Sequence, residues 1–248
     1  MANIKLSDVE VEFPVHNSNS RALQMRVLSS VGGQIADHKR SIVIEALRKI
    51  NLEIPDGGRV GLVGHNGSGK TTLLRVLSGV YEPSRGVVEV RGRLSSLTDI
   101  TLGMDTEATG RDNIIFRSVF MGLGFKEARE LAPSIEEFSE LGEFLSMPVR
   151  TYSTGMFLRL AFAISTAVDP EIMIMDEMIG TGDLPFLAKA KKRLNEMIER
   201  VSILVLATHD STIMESLCKD IVWLRQGEIQ EVGPFHKTYH KYLKSIGG

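Results

Sequence analysis

Gly64-His65-Asn66-Gly67-Ser68-Gly69-Lys70-Thr71 matches the pattern G-x-x-x-x-G-K-[ST] at every fixed position. Arg59–Val63 precedes it as a short apolar strand. Thr71–Val80 follows with Leu73, Leu74, Leu77 and Val80 at helical spacing. Strand, glycine-rich loop and helix together make an α/β unit. The glycines let the backbone wrap tightly, so that successive N–H groups point inward at phosphate oxygens. The helix that follows adds its positive N-terminal end. Gly64, His65, Asn66, Gly67, Ser68, Gly69, Lys70, Thr71 and Thr72 are therefore candidate phosphate-binding residues. Lys70 is placed to reach β- and γ-phosphates, and the Thr71 hydroxyl to ligate Mg²⁺.

Such a loop needs an acidic residue at the end of another buried strand. Ile172-Met173-Ile174-Met175-Asp176-Glu177 supplies one. Asp176 is the candidate Mg²⁺ ligand. Glu177, one residue further, is the candidate catalytic carboxylate that polarises an attacking water. The neighbouring methionines read as core filling. A third apolar run, Ile203–Thr208, ends at His209-Asp210, and His209 is a candidate for contact with the γ-phosphate or the water. Continuous apolar runs of this kind are expected of a parallel sheet covered on both faces.

Around these runs the chain reads as follows. Ile4–Phe13 is a strand, and Ser41–Ile54 is rich in β-branched residues. Val15–Arg40 reads as a short amphipathic helix with a loop on each side, on the apolar positions Leu23, Met25, Val27, Leu28 and Val31. Thr109 to about Ala167 is helical, with Gly110–Asn113 capping a helix that begins near Ile114. A basic helix separates the two buried strands. The tail reads as strand, turn at Gly233-Pro234 and terminal helix.

The 248 residues carry 29 Lys+Arg against 31 Asp+Glu, so bulk positive charge does not drive nucleic-acid binding and no nucleic-acid partner is expected. A single cysteine, Cys218, cannot form an intrachain disulfide, which suits a reducing compartment. No window approaches the roughly 20 consecutive apolar residues of a membrane-spanning helix, and the N-terminus lacks a secretory signal.

The ordered set of motifs resembles the nucleotide-binding subunit of the ATP-binding cassette family. After the loop at 64–71 come Tyr152-Ser153-Thr154-Gly155-Met156, Arg159-Leu160-Ala161, Asp176-Glu177, Gly182-Asp183 and Thr208-His209-Asp210. The resemblance covers nearly the whole chain. It implies an α/β fold of the P-loop NTPase, ABC type: a mixed or parallel β core, an antiparallel β region and a helical subdomain at about 105–167. It further implies one nucleotide-binding domain over residues 1–248, with an insertion at about 15–40 and no C-terminal carbohydrate-binding domain. The cofactors implied are ATP and Mg²⁺, and the activity is ATP hydrolysis. A head-to-tail homodimer is implied, in which Ser153, Thr154, Gly155 and Met156 of one copy close on the γ-phosphate held by Lys70 of the other, with Asp183 at the seam.

The departures narrow the resemblance. The usual family signature is Leu-Ser-Gly-Gly-Gln, and here it is Tyr-Ser-Thr-Gly-Met. Asp176-Glu177-Met178-Ile179-Gly180-Thr181-Gly182-Asp183 and Thr109–Ile114 also resemble the branch that exports bacterial cell-surface polysaccharides. That branch implies an integral membrane permease as partner and a lipid-linked polysaccharide as substrate, the O-antigen type first. It places the chain at the cytoplasmic face of the inner membrane. Capsule or teichoic acid export, or a soluble cassette without a membrane partner, are the alternatives.

Leu97–Leu102 lacks the glutamine most cassettes place before the signature. Asp99 is either its Mg²⁺-ligating substitute or a plain loop residue. Phe13, the sole aromatic before residue 81, is either the adenine-stacking ring or a core residue. The permease is expected near Asp99–Phe125, where Ile114–Met121 is unusually apolar. The insertion carries Arg21, Arg26, Lys39 and Arg40, which suit anionic lipid or the substrate's pyrophosphate, or simply a solvated excursion.

Overall fold

The structure is a computed structural model and describes residues 1–15, 35–38, 41–176 and 184–246. Among these the chain divides into two compact units. One is drawn from Met1–Leu94, Ile174–Glu177 and Ser202–Gly248, the other from Ser95–Met173 and Met178–Val201.

In the first unit, β1 (Asn3–Val15) lies between β3 (Ser41–Ile54) and β5 (Arg85–Arg91), antiparallel to both. Its buried residues, Ile4, Leu6, Val9 and Val11, slip by one position after Leu6. A strict two-residue period would turn Val9 outward. Asp8 absorbs the slip at φ 48°, and its N–H donates to Asn51 Oδ1 at 2.9 Å. Lys49, at φ 44°, does the same between the buried Leu47 and Ile50 of β3.

β2 (Ile35–His38) pairs antiparallel with Ser41–Ile44 of β3. The expectation of loop there is corrected: the β-branched Ile42, Val43 and Ile44 offer an edge that extended backbone pairs with. The helix expected further back in Val15–Arg40, with Arg21 and Arg26, lies outside the described residues.

A second sheet has the order β10-β9-β4-β8-β7-β6. These strands are β10 (Glu228–Pro234), β9 (Asp220–Arg225), β4 (Arg59–Val63), β8 (Ile203–Ala207), β7 (Ile172–Asp176) and β6 (Leu94–Ser96). β4 is parallel to both β8 and β9, while β10 is antiparallel to β9. All of β8 and the first four residues of β7 are buried, including Met173 and Met175. The apolar runs thus mark central strands, and the methionines fill core. α1 (Lys70–Leu77) buries Leu73, Leu74, Val76 and Leu77. α6 (Ser211–Leu217) is capped by Asp210, and α7 (Phe235–Ile246) ends the described chain.

The second unit is built from α2 (Gly110–Phe120), α3 (Phe125–Ser139), α4 (Thr154–Ser165) and α5 (Leu184–Arg200). α2 begins four residues before the expected Ile114, because Thr109 and Asp112 form a reciprocal capping box. Ile114, Ile135, Leu145, Leu160 and Ile164 make its main core. Ile114–Met121 is mixed: Ile114, Arg117 and Ser118 are buried, while Phe116 and Phe120 are exposed. α5 clusters in this unit with the helices of the 105–167 stretch.

Candidate functional site

β4, β8 and β9 are neighbours running the same way, so their C-terminal ends lie together on one edge of the sheet. That edge carries the loop after Val63, His209 after β8, and the Gln226-Gly227 turn after β9. β7, beside β8, brings Asp176. A cleft of about 320 Å³ opens there. Asn66, Gly67, Gly69, Lys70, Thr71, Thr72, Asp176 and His209 line it, together with Glu45, Ala46, Gln226 and Gly227.

Backbone geometry forces glycine at the loop's last turn. Gly69 caps α1 at φ 106°, and a Cβ there would meet the Ala46 carbonyl oxygen at 2.9 Å. The loop is tied to the Gln226-Gly227 turn, whose Gly227 N–H donates to the Ser68 carbonyl at 3.0 Å. Ser68 is fully buried and its hydroxyl has no partner among the described residues. His65 is exposed, with Nδ1 2.7 Å from the Asn66 carbonyl oxygen.

Lys70 Nζ donates to the carbonyls of Gly64 at 2.7 Å and His65 at 3.2 Å, folding back over its own loop. Burial of the ammonium lowers its pKa below the usual lysine value, and the nearby Asp176 carboxylate pulls it back up. Thr71 Oγ1 donates to Asp176 Oδ2 at 3.1 Å. A hydroxyl oxygen facing a carboxylate oxygen suits a hard cation with oxygen ligands, so Thr71 and Asp176 would hold Mg²⁺. Among the described residues no group of three or more His, Cys, Asp or Glu gathers for a metal.

Residues 47–180 match the family model described as ABC transporter. The chain belongs to the ABC transporter family. It is 40% identical over 233 residues to the O-antigen export system ATP-binding protein RfbE of Yersinia enterocolitica, across 93% of this chain and 98% of that one. It is 39% identical over 197 residues to the teichoic acids export ATP-binding protein TagH of Listeria innocua, and spans 58% of that protein's length. Its fold is that of a solved dimeric post-hydrolysis state of the ATP-binding cassette MJ0796 bound to ADP and Pi. The TM-score is 0.63 at 21% identity, covering 94% of this chain and 98% of that one. The chain is accordingly a cassette ATPase that binds and hydrolyses ATP.

The remaining candidates of the cassette are distributed as follows. Glu177 and Asp183 lie outside the described residues. Phe13, in the same unit as the cleft, does not line it. Its ring packs edge-on against Tyr81 with centroids 5.4 Å apart. Asp99 and the signature belong to the helical unit. There Ser153 caps α4, its Oγ accepting from the Met156 N–H at 3.2 Å, and the side chains of Ser153 and Thr154 are exposed. A Cβ on Gly155 would meet only Ser153 Oγ at 3.9 Å. Nothing among the described residues of this unit calls for glycine at that position.

Glu45, Ala46, Gln226 and Gly227 line the cleft in addition to the candidate site residues of the sequence, Gln226-Gly227 having figured there only in the Val222–Gly227 resemblance. Gln226-Gly227 carried a signal nonetheless. An X-Gly pair between two strand-like runs is a hairpin turn, and both residues have positive φ, 50° and 80°. Glu45 and Ala46 carried none, because a mid-strand position reveals no neighbour until the sheet is assembled.

Proposed function

We propose that this cassette is the motor of an exporter that moves a lipid-linked, O-antigen-type polysaccharide across the bacterial inner membrane. The observation that carries the substrate class is its similarity to an O-antigen export ATP-binding protein along 98% of that relative. Teichoic acid export is the second reading, favoured by the 39% identity to a protein of that name. Among the described residues no helix is long and apolar enough to cross a membrane. The translocation path in this reading belongs to a separate permease, with the cassette docked at its cytoplasmic face.

In this reading two copies sit head to tail. Lys70 and the loop N–H groups hold the β- and γ-phosphates. Thr71 and Asp176 would hold Mg²⁺, which would supply positive charge against the phosphates. Glu177 orients and polarises the attacking water, and His209 contacts the γ-phosphate from the neighbouring strand end. Ser153 and Gly155 of the second copy close over the same phosphate with a hydroxyl, an N–H and the positive end of α4. The open space above Gly155 supports a partner approaching there. Phe13 as adenine platform and Asp99 as a further Mg²⁺ contact complete the proposal. ATP favours the closed pair and hydrolysis releases it.

The test is genetic. In the source bacterium, a deletion of this gene complemented by the parent sequence should restore surface polysaccharide. A Lys70→Ala copy should leave lipid-linked polymer inside the cell. Normal surface polysaccharide in the deletion strain would overturn the export assignment.

A further inference from the structure

Arg117, in α2, is 4% exposed. Its Nη2 donates to Ser165 Oγ at 2.8 Å and its Nη1 to the Ala161 carbonyl at 3.4 Å. Its Nε has no partner among the described residues. Burial pulls its pKa down to about 10, with no carboxylate among the described residues opposing the shift. A buried guanidinium facing only neutral groups is costly, and an apolar side chain of similar size would fill the space at less cost. Packing alone therefore does not call for arginine at this position.

What the guanidinium adds is a connection. Ser165 Oγ passes the contact on, donating to the Ala161 carbonyl at 2.8 Å, and the Ser165 carbonyl accepts from Ser95 Oγ at 3.3 Å. Ser95 and Ser165 are both buried. One turn before Arg117 in α2, the fully buried Asn113 brackets Asp105. Its Oδ1 accepts from the Asp105 N–H, and its Nδ2 donates to the Asp105 carbonyl, both at 2.8 Å. The segment Ser95–Asp105, which contains Asp99, is thus held at its first residue by α4 and at its last by α2. Arg117 ties those two helices together. α4 is also the helix whose other end presents Ser153, Thr154 and Gly155.

We propose that Arg117 is a positioning residue that locks α2 to α4, so that a displacement of Ser95–Asp105 moves the Ser153–Gly155 end of α4 with it. The inference rests on the reading above that this end acts on ATP held by a second copy. α4 is a rod about 18 Å long by its residue count, stiff enough to carry a shift from its Ala161–Ser165 end to its capped end. The arginine fork reaches two acceptors on successive turns of α4, whereas a lysine ammonium reaches one of them and an apolar side chain of the same length neither.

The test is steady-state ATP turnover by the full chain and its Arg117→Met, Arg117→Lys and Ser165→Ala variants, with Tm recorded for each. Arg117→Met should lower kcat at least about tenfold with KM for ATP within about twofold of the parent, since the nucleotide loop lies in the other unit. Its Tm should hold or rise. Arg117→Lys should regain about half of the parent kcat, and Ser165→Ala should lose about threefold with the same split. Parent-like kcat in Arg117→Met, a joint loss of kcat and KM with a lower Tm, or no rescue by lysine would overturn the inference. Light scattering with ATP in a Glu177→Gln background separates the two readings. If Glu177→Gln itself stays monomeric, the two-copy reading falls and the Arg117 inference with it. If Glu177→Gln dimerises and Glu177→Gln/Arg117→Met dimerises equally well, only the role of Arg117 falls.

Discussion

Thr71 Oγ1 donates a hydrogen bond to Asp176 Oδ2 at 3.1 Å, joining the first turn of α1 to the end of β7 across 105 positions of sequence. The two oxygens are the pair that would hold Mg²⁺. The bond also keeps Asp176 beside Lys70, whose pKa it supports against burial.

Asp176→Asn keeps the shape of the side chain and removes its charge. Turnover in the presence of Mg²⁺ should fall by about 10- to 100-fold, the scale of a lost charge-assisted contact. Mg²⁺ should no longer strengthen ATP binding. Titration calorimetry with and without Mg²⁺ checks this, and an unchanged Mg²⁺ effect would remove Asp176 from the metal site.

Gly155→Ala separates fold from function. The position has room for a methyl group, and glycine near the start of a helix is less favourable than alanine by about 0.5–1 kcal/mol. Tm should therefore hold or rise by about 1–3 °C. ATP turnover should nevertheless drop, because the added carbon occupies space assigned to the second copy and its nucleotide. A loss of Tm would place the importance of Gly155 in folding instead.

Cys218 gives a pH dependence. Burial raises its pKa from 9.0 to about 12, with Arg59 opposing more weakly. The unfolded thiol ionises near 9 while the folded one stays neutral, so the unfolded chain binds fewer protons at alkaline pH. The stabilising contribution is fully present below pH 9 and is lost as pH rises through about 12. Urea unfolding at about pH 8 and about pH 10.5 should show a decline that Cys218→Ala reduces. The thiol should also resist a disulfide reagent until the chain unfolds.

Much of the site was legible because its chemistry is local in sequence. The loop at 64–71 announces itself through glycine spacing, and Asp176 and His209 through their positions at the ends of apolar runs. The cleft residues Glu45 and Ala46 were hidden because a cross-strand neighbour has no sequence signature. The slips at Asp8 and Lys49 blurred the alternation that would have marked β1 and β3 in full. The polar contacts of Arg117 were equally illegible. An arginine among Ile114, Ile115, Phe116 and Val119 reads as a solvated break in an apolar helix, and only the packed unit shows it buried. Phe13 stands out in the sequence as the sole aromatic before residue 81, and its ring partner Tyr81 lies too far along the chain for local pattern to reveal.

In the proposed pair, each complete site takes its phosphate loop from one copy and its signature from the other. Lys70→Ala and Ser153→Ala, each inactive alone, test it directly when mixed. A mixed pair carries one site with both defects and one with neither. The mixture should recover up to about one quarter of the parent's sites if pairing is random, and ATP turnover should rise from background accordingly. Turnover that stays at background on mixing, while both variants still bind each other, would contradict sites shared between two copies.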